Sequence, residues 1–132
     1  MTSKDMVADV FRFVVQLTEE SLAGLTIKML AEKFAVSRCH LSREFSSERG
    51  MTLAAFIKGR KLLSAERLLM AGRDVTVKEV AMRLGYADCP YFIALFKEHW
   101  GESPGRYRKL VGDLAADQGL FQGPGGALRG RG

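Results

Sequence analysis

The stretch TLAAFIKGRKLLSAERLLM, residues Thr52–Met70, decides how the rest of this chain is organised. Thr is a residue type that caps helix N-termini, and Gly72 just beyond the stretch can take the left-handed conformation that ends a helix. Most residues in the stretch are strong helix formers, which predicts a helix of about 28 Å. Its apolar residues are Leu53, Phe56, Ile57, Leu62, Leu63, Leu68 and Leu69. Because they fall on more than one side of the helix, we expect other elements to pack against it from several directions.

A short motif occurs once before this helix and once after it. At an offset of fifty residues, the matches are Ala31, Phe34, Ala35 and Val36 with Ala81, Leu84, Gly85 and Tyr86. At an offset of fifty-one, the matches are Ser37, Leu41, Phe45, Gly50, Thr52 and Phe56 with Asp88, Phe92, Phe96, Gly101, Ser103 and Tyr107. The one-residue slip falls in the turn, where an inserted residue is tolerated best. The repeat predicts two helix-turn-helix units on one connecting helix.

Length and charge narrow the class of protein. A chain of 132 residues has room for one compact region, or for two very small ones that share a core. The net charge of +5 favours an anionic partner without proving one. No apolar run approaches the length of a membrane span and no signal peptide opens the chain, so we expect a cytoplasmic protein.

The two cysteines, Cys39 and Cys89, lie fifty residues apart and belong to no CxxC or Cys/His cluster. We interpret them as reduced thiols rather than as a disulfide or a zinc site. A redox-sensing role for Cys39 is a weaker alternative, because no partner cysteine is near in sequence. Neither a phosphate-cradling glycine loop nor a nucleophile with its base is recognisable, so the sequence predicts no enzyme, no cofactor and no metal site.

The first part of the chain predicts one covering helix and one helix-turn-helix unit. Apolar residues at helical spacing predict an amphipathic helix over residues 4–20, followed by a polar connection at Ser21–Thr26. The unit itself consists of a helix over residues 27–34 and a helix over Arg38–Glu48. Ser37, in the turn between them, is placed to cap the second helix.

The second part repeats this plan with clear helix starts. The run Thr76-Val-Lys-Glu79 is a capping box, and it predicts a helix that ends at Arg83. Asp88 is placed to cap a helix over Cys89–Trp100, and Ser103 with Pro104 opens a last helix. The predicted divisions are 1–50 for the first helix and first unit, 51–72 for the linker helix, 73–111 for the second unit and terminal helix, and 112–132 for a tail.

The tail has the composition of a disordered segment. Half of the chain's fourteen glycines fall in its twenty-one residues, and it shows little periodicity. Within it, LFQGP (Leu120–Pro124) resembles a protease-cleavage tag, which leaves open that part of the tail is an expression remnant.

The segment Thr26–Lys109 resembles the DNA-binding region of the AraC/XylS family of bacterial transcription regulators. The resemblance is carried by the two units on one linker helix and by Arg60, Ala65 and Leu68-Leu69 within that helix. It is carried further by the run GYADCPYFIALFKEHWGESPGRYRK from Gly85, which is similar to the family signature of Gly-aromatic, Tyr-Phe, Phe-Lys, Gly-x-Ser-Pro and Tyr-Arg.

The resemblance implies an all-α fold with two helix-turn-helix subdomains and about seven helices. It implies sequence-specific binding of promoter DNA, with recognition helices 38–48 and 89–100 in successive major grooves. The implied partners are double-stranded DNA, RNA polymerase and an N-terminal sensor or receiver domain that this chain lacks. The alternative is a helix-turn-helix module that docks a regulatory domain or a polymerase subunit.

In a helix-turn-helix unit, the first turns of the second helix lie against base edges. In the first unit, the predicted outward positions are Arg38, Cys39, Ser42 and Arg43. An arginine can donate two hydrogen bonds to guanine, Ser42 can donate or accept, and Cys39 offers apolar contact to a thymine methyl group. The alternative is a face that only solvates its charges; we favour base contact for Arg43 and leave Arg38 open.

The matched positions in the second unit depart from the family pattern. They are Cys89, Pro90, Ile93 and Ala94, where relatives typically carry polar or basic residues. Hydrogen-bond readout from this helix therefore looks poor. Two alternatives stay open, namely contact with methyl groups and phosphates, or docking on a domain outside this chain.

Phosphate contacts are expected from helix starts and from residues on the same surface as the recognition helices. The candidates are His40, Arg60, Lys61, Thr76, Lys78, Tyr91, Lys97, Ser103 and Arg106, with Lys58 and Arg108 as further basic residues. Each basic residue could instead be a solvated charge, and Arg60 could be a structural link between the units. Ala35 stands at a turn position where glycine is usual, which predicts strain if its φ is positive.

Overall fold

The computed structural model describes residues 2–71 and 74–118, with residues 114–118 described by their backbone alone. Over this part of the chain the protein is all-helical, as the sequence predicts. Its helices are α1 (Ser3–Val15), α2 (Glu19–Ala23), α3 (Ile27–Lys33), α4 (Arg38–Arg49), α5 (Leu53–Ala71), α6 (Val77–Arg83), α7 (Cys89–Trp100) and α8 (Pro104–Gln118). None of the described helices is both long and apolar enough to cross a membrane.

The chain divides into two units, and the division falls inside the long helix α5. Unit 1 comprises residues Met1–Lys61 and unit 2 comprises Leu62–Gly132. In unit 1, the first half of α5 contributes Leu53, Phe56 and Ile57 to the core. The other buried residues of that core are Met6, Val7, Val10, Val14, Leu22, Leu25, Leu30, Ala31, Leu41 and Phe45.

Unit 2 has its own apolar core, to which the second half of α5 contributes Leu62, Ala65 and Leu69. The other buried residues of that core are Val80, Ala81, Leu84, Phe92, Phe96, Tyr107 and Val111. Glu66 of α5 is also buried, and the Tyr107 hydroxyl donates a hydrogen bond to its Oε2 at 2.6 Å. The helix α5 is therefore apolar on several sides because its two halves enter two different cores, as the sequence analysis expected of a helix packed from several directions.

The two turns repeat in their backbone hydrogen bonds. The Val36 amide donates to the Ala31 carbonyl oxygen at 3.0 Å, and the Tyr86 amide donates to the Ala81 carbonyl oxygen at 2.9 Å. The residue directly before each of these amides has a positive φ, which is 57° for Ala35 and 85° for Gly85. The left-handed region costs a residue with a Cβ atom about 1–2 kcal/mol, so the predicted strain at Ala35 is confirmed.

Helix starts follow the predicted caps, because each cap needs only residues that are close in sequence. The side-chain oxygens of Thr52 and Ser37 accept hydrogen bonds from the amides three residues later, each at 3.0 Å. The Asp88 carboxylate accepts from the Tyr91 amide at 3.1 Å. At Thr76 the full capping box forms with Glu79.

The prediction of one first helix over residues 4–20 is wrong. The helix α1 ends at Val15, and the Thr18 Oγ1 accepts a hydrogen bond from the Ser21 amide at 3.2 Å to start α2. The short helix α2 occupies part of the predicted connection at Ser21–Thr26. The cap at Thr18 starts a separate helix, and Leu22 of that helix is buried in the unit 1 core. Because of this break, the described residues contain eight helices, whereas about seven were expected.

The last helix continues further than the predicted tail boundary allows. The helix α8 begins at Pro104, as predicted, but it runs to Gln118 rather than stopping before Gly112. Val111, directly before that boundary, is buried in unit 2, so the helix is held by packing at this point. The remainder of the predicted tail, residues 119–132, lies outside the described residues.

Candidate nucleic-acid interface

The helix α4 presents polar and charged side chains on the face opposite its core residues. Arg38, Cys39 and Arg43 are exposed and Ser42 is half-buried, while Leu41 and Phe45 are fully buried. The Arg43 side chain is 70% exposed and its Nε lies 3.9 Å from the Glu44 Oε2, which is a weak surface pair. Its guanidinium therefore remains available to a ligand.

A shallow, open depression joins the start of α4 to the start of α3. It is lined by Thr26, Ile27, Lys28, Arg38, Cys39 and Ser42. The Thr26 Oγ1 accepts a hydrogen bond from the Met29 amide at 3.1 Å, and the first turn of α3 carries Lys28 but no acidic residue. The positive end of the helix dipole and a lysine thus lie beside the predicted base-contacting residues of unit 1.

Thr26 and Lys28 are not among the residues predicted from the sequence to contact DNA. The internal repeat could have indicated them, because they match Thr76 and Lys78 at the same offset of fifty that relates the two turns. Thr76 and Lys78 are predicted phosphate contacts, because the capping box marks the start of α6 clearly, whereas no such box marks the start of α3.

The start of α6 differs from that of α3 in charge. The Thr76 Oγ1 accepts from the Glu79 amide at 3.1 Å, and the Glu79 Oε1 accepts from the Thr76 amide at 3.3 Å. This places a carboxylate at the helix N-terminus, where it occupies the Thr76 amide and repels a phosphate. Lys78 is exposed beside it, so Lys78 is a better phosphate candidate than Thr76.

The helix α7 presents fewer outward residues than its sequence suggests. Pro90 and Ala94 are exposed, but Cys89 and Ile93 are half-buried and pack against the core of unit 2. The prediction that all four residues point outward therefore holds in full for only two of them. The physical reason is that Cys89 and Ile93 are apolar, so they gain from packing against the core that holds Phe92 and Phe96.

Tyr91 projects from the first turn of α7 and is 56% exposed. Its ring centroid lies 6.3 Å from that of the half-buried Tyr86. Burial, with a smaller effect of Tyr91, raises the pKa of Tyr86, so Tyr86 stays a neutral hydroxyl at physiological pH. The matched residue in α4, His40, is half-buried and its amide donates to the Ser37 Oγ.

Several predicted phosphate contacts have structural roles instead of, or beside, the predicted one. The half-buried Arg60 donates from Nη2 to the Val15 carbonyl oxygen at 3.5 Å. That hydrogen bond lies within unit 1, where it gives Arg60 a structural role. Arg108 donates from Nη2 to the Val75 carbonyl oxygen at 2.5 Å, which holds α8 to the segment before α6.

The remaining candidates differ in exposure. Burial lowers the pKa of the half-buried Lys61, because desolvation penalises its charged form. Lys97 is exposed, while Lys58 and Ser103 are half-buried. Arg106 is exposed and its Nε lies 3.2 Å from the Glu102 Oε1.

Nothing in the described residues resembles a metal centre or a disulfide. Within residues 2–71 and 74–118, no group of three His, Cys, Asp or Glu side chains could hold a metal ion. Cys39 and Cys89 are both free thiols.

Comparison with known proteins supports this arrangement. A family model described as a helix-turn-helix domain matches residues 30–110, which is more than half of the chain. The probable transcription factor PqrA of Proteus vulgaris is 26% identical over 107 residues, covering 81% of this chain and 86% of that protein. The xylose operon regulatory protein of Escherichia coli is 29% identical over 91 residues, covering 69% of this chain and 23% of that protein.

A solved structure of similar fold contains DNA. It is the DNA-binding domain of AdpA, a global transcriptional factor, in complex with a target DNA. It is 26% identical, with a TM-score of 0.70, and the match covers 87% of this chain and 97% of that one. The family match and the similarity to this structure agree with the helix-turn-helix fold described above. The chain belongs to the AraC-type helix-turn-helix family of transcription regulators.

Proposed function

We propose that this chain binds promoter DNA sequence-specifically, as the DNA-binding domain of an AraC-type transcription regulator and not as an enzyme. The observation that carries the proposal is the outer face of α4, where Arg38 and Arg43 are exposed over a firmly buried core side. Such a helix can enter the major groove with its first turns against base edges. Arg43 would donate to guanine O6 and N7, a contact worth about 1–3 kcal/mol of discrimination.

The start of α3 is the proposed phosphate contact beside this helix. Thr26 and Lys28 line the same depression as Arg38 and Cys39, and no carboxylate lies in the first turn of α3. A phosphate there would be met by the helix dipole and by the Lys28 ammonium. Phosphate contacts of this kind position a protein on DNA, and base contacts then select the sequence.

The second unit repeats the same backbone, which supports a second half-site. We propose that α4 and α7 occupy successive major grooves, whose centres lie about 34 Å apart on B-form DNA. In unit 2, the exposed Lys78, Tyr91, Lys97 and Arg106 supply the phosphate contacts.

The partners of a complete regulator belong to the same proposal. RNA polymerase and an N-terminal sensor or receiver domain are the expected protein partners, and the cytoplasm is the expected location. A second candidate function, docking of a protein on unit 2, is favoured by one observation, namely that Pro90 and Ala94 expose apolar groups on α7.

Selection from a randomised duplex library, with and without competitor DNA, tests the proposal. We expect an enriched sequence, and we expect log K for it to fall with log salt at a slope of about −0.9 per phosphate contact. About four to eight contacts would give a slope between about −3.6 and −7.2. Affinity that stays flat between low and moderate salt, or a failure to enrich any sequence, would leave protein docking as the better account.

A further inference from the structure

We propose that α7 recognises its half-site mainly through the C5-methyl groups of thymines, whereas α4 uses hydrogen bonds. This inference rests on the proposed function, since it assumes that both helices face DNA.

The two recognition helices differ in chemistry at their matched positions. At an offset of fifty-one residues, the four predicted base-contacting positions of unit 1 are replaced in unit 2 by side chains that lack strong hydrogen-bonding groups. The pairs are Arg38 with Cys89, Cys39 with Pro90, Ser42 with Ile93, and Arg43 with Ala94. The guanidinium groups of Arg38 and Arg43 and the hydroxyl of Ser42 therefore have no counterpart at the matched positions of α7.

Burial reduces the number of α7 side chains that can contact a ligand. Cys89 and Ile93 are half-buried against the unit 2 core, so the exposed side chains in the first two turns are those of Pro90, Tyr91 and Ala94. Among these three, Tyr91 alone carries a polar group. Pro90 also lacks a backbone amide hydrogen, so its ring presents only carbon.

In the major groove, thymine differs from the other bases by its C5-methyl group. Every base edge there offers donors or acceptors, but only thymine adds an apolar methyl group. A polar edge that is desolvated against the Pro90 ring or the Ala94 methyl group loses hydrogen bonds with water and gains none. A thymine methyl group placed there gains burial without that loss, so this surface favours thymine.

The side chains on this face of α7 favour DNA over a protein as its binding partner. Pro90 and Ala94 are small side chains, and the aromatic and arginine residues that dominate protein interfaces are represented here by Tyr91 alone. Lys97 is exposed further along the same helix, and Asp88 caps the start of that helix. The Lys97 ammonium offers a cation to a phosphate at the edge of the groove.

The size of the effect follows from the burial of a single methyl group. Removing one buried methyl group from a thymine should weaken binding about two- to fivefold. This is smaller than the loss expected when a two-hydrogen-bond arginine contact is removed, so the α7 half-site should tolerate more sequence variation than the α4 half-site.

The test uses the duplex enriched from the randomised library. Each thymine is replaced in turn by deoxyuridine, which removes only the methyl group, and each guanine by 7-deazaguanine, which removes the N7 acceptor. The half-sites are assigned with two variants. Arg43→Ala should relax the bases under α4, and Ala94→Asn should shift a base under α7 toward adenine, because an amide can pair with its N6 and N7.

We expect deoxyuridine to weaken binding about two- to fivefold at one or more thymines under α7, and 5-methylcytosine to substitute better than cytosine there. Pro90→Ala, whose folding is checked by thermal melting, should reduce that penalty. Thymines that tolerate deoxyuridine, with guanines that do not tolerate 7-deazaguanine, would overturn the inference while leaving the proposed function intact. A half-site without any base preference would overturn it too, in favour of a protein-docking face. Failure to enrich any DNA would instead overturn the proposed function, and this inference with it.

Discussion

The helices α4 and α7 occupy the same place in two units of the same design, yet they present different chemistry. Leu41 and Phe45 in α4 match Phe92 and Phe96 in α7, and all four are fully buried. The outward positions differ completely, with arginines and a serine on α4 against Pro90 and Ala94 on α7. The comparison teaches that the positions shared by the two units are those that build the fold, while the exposed positions of each unit set what it recognises.

The helices α3 and α6, which precede α4 and α7, also share a backbone arrangement at their starts but differ in charge. Thr26 and Thr76 cap α3 and α6 through the same hydrogen bond, but three residues later stands Met29 in one unit and Glu79 in the other. A single carboxylate therefore reduces the positive charge that a phosphate would meet, without changing the backbone.

The largest expected effect concerns the matched core residues. Phe45→Ala and Phe96→Ala should each lower the free energy of unfolding by about 3–5 kcal/mol, because each leaves a cavity the size of a benzene ring. Hydrogen exchange should show the loss of protection in the unit that holds the substitution. Met82→Ala, at a side chain that is 64% exposed, is the control and should change stability by less than about 0.5 kcal/mol. Equal loss of protection in both units would show that their cores are not separate.

The next effect tests which helix makes hydrogen bonds to bases. Arg43→Ala should weaken binding to the selected site by about 1–3 kcal/mol and relax the preference at one base pair. Ala94→Ser should change affinity by less than about 1 kcal/mol, since at most one small contact changes.

A matched control for Arg43→Ala is available on α1. Arg12 has the same charge and a similar side-chain exposure, 63% against 70%, but it pairs with Asp9 outside the proposed interface. Arg12→Ala should leave base preference unchanged. A base-by-base binding scan with equal information in both half-sites, or more under α7, would contradict the assignment of α4 as the main reader.

A smaller effect tests the charge difference at the helix starts. Met29→Glu would copy the capping box of unit 2 into unit 1, and Met29 is half exposed, so the change should be tolerated. We expect thermal stability to rise, because the new side chain can accept from the Thr26 amide. We expect DNA affinity at low salt to fall by about 0.5–1 kcal/mol, because a carboxylate replaces a neutral group beside a phosphate.

The control for this substitution is Met29→Gln, which can form the same box without the charge. It should raise stability without weakening DNA binding. Conversely, Glu79→Gln should strengthen binding slightly at low salt. If Met29→Glu and Met29→Gln bind DNA equally well, the start of α3 does not approach a phosphate.

The smallest effect concerns the turns. Ala35→Gly should stabilise unit 1 by up to about 1 kcal/mol, since relief of the left-handed strain exceeds the added entropy of the unfolded chain. Gly85→Ala should destabilise unit 2 by about 1 kcal/mol for the reverse reason. Thermal melting of the two variants checks both signs. A lower melting temperature for Ala35→Gly would show that the Ala35 methyl group makes a stabilising contact.

Much of the fold could be predicted because its signals are local or repeated. The caps at Ser37, Thr52, Thr76 and Asp88 each involve residues three positions apart, and all four form as predicted. The repeat at an offset of fifty predicted two matched turns, and the φ of Ala35 is positive, which is the condition under which strain was expected there. The break at Thr18 was missed because helical periodicity continues across it, so only the cap itself reveals it.

The candidate site could be predicted less completely, and the reason lies in side-chain burial. The sequence identifies which residues stand near the start of α4 and α7, because helix periodicity assigns them to a face. It does not show that Cys89 and Ile93 belong partly to a core, since that depends on how wide a stripe the surrounding elements cover. It also did not indicate Thr26 and Lys28, whose place beside Arg38 depends on how α3 packs against α4.

The sequence by itself determined the helix starts, the two matched turns and the role of Thr52–Met70 as the connecting helix, because each of these depends on nearby residues or on an internal repeat. Only the tertiary structure decided which cations are available to a ligand. The Arg60 guanidinium is held by the Val15 carbonyl and the Arg108 guanidinium by the Val75 carbonyl, across 45 and 33 residues of chain. Such pairings form only when distant segments pack together, because a long flexible side chain finds its partner through the fold rather than through its neighbours in sequence.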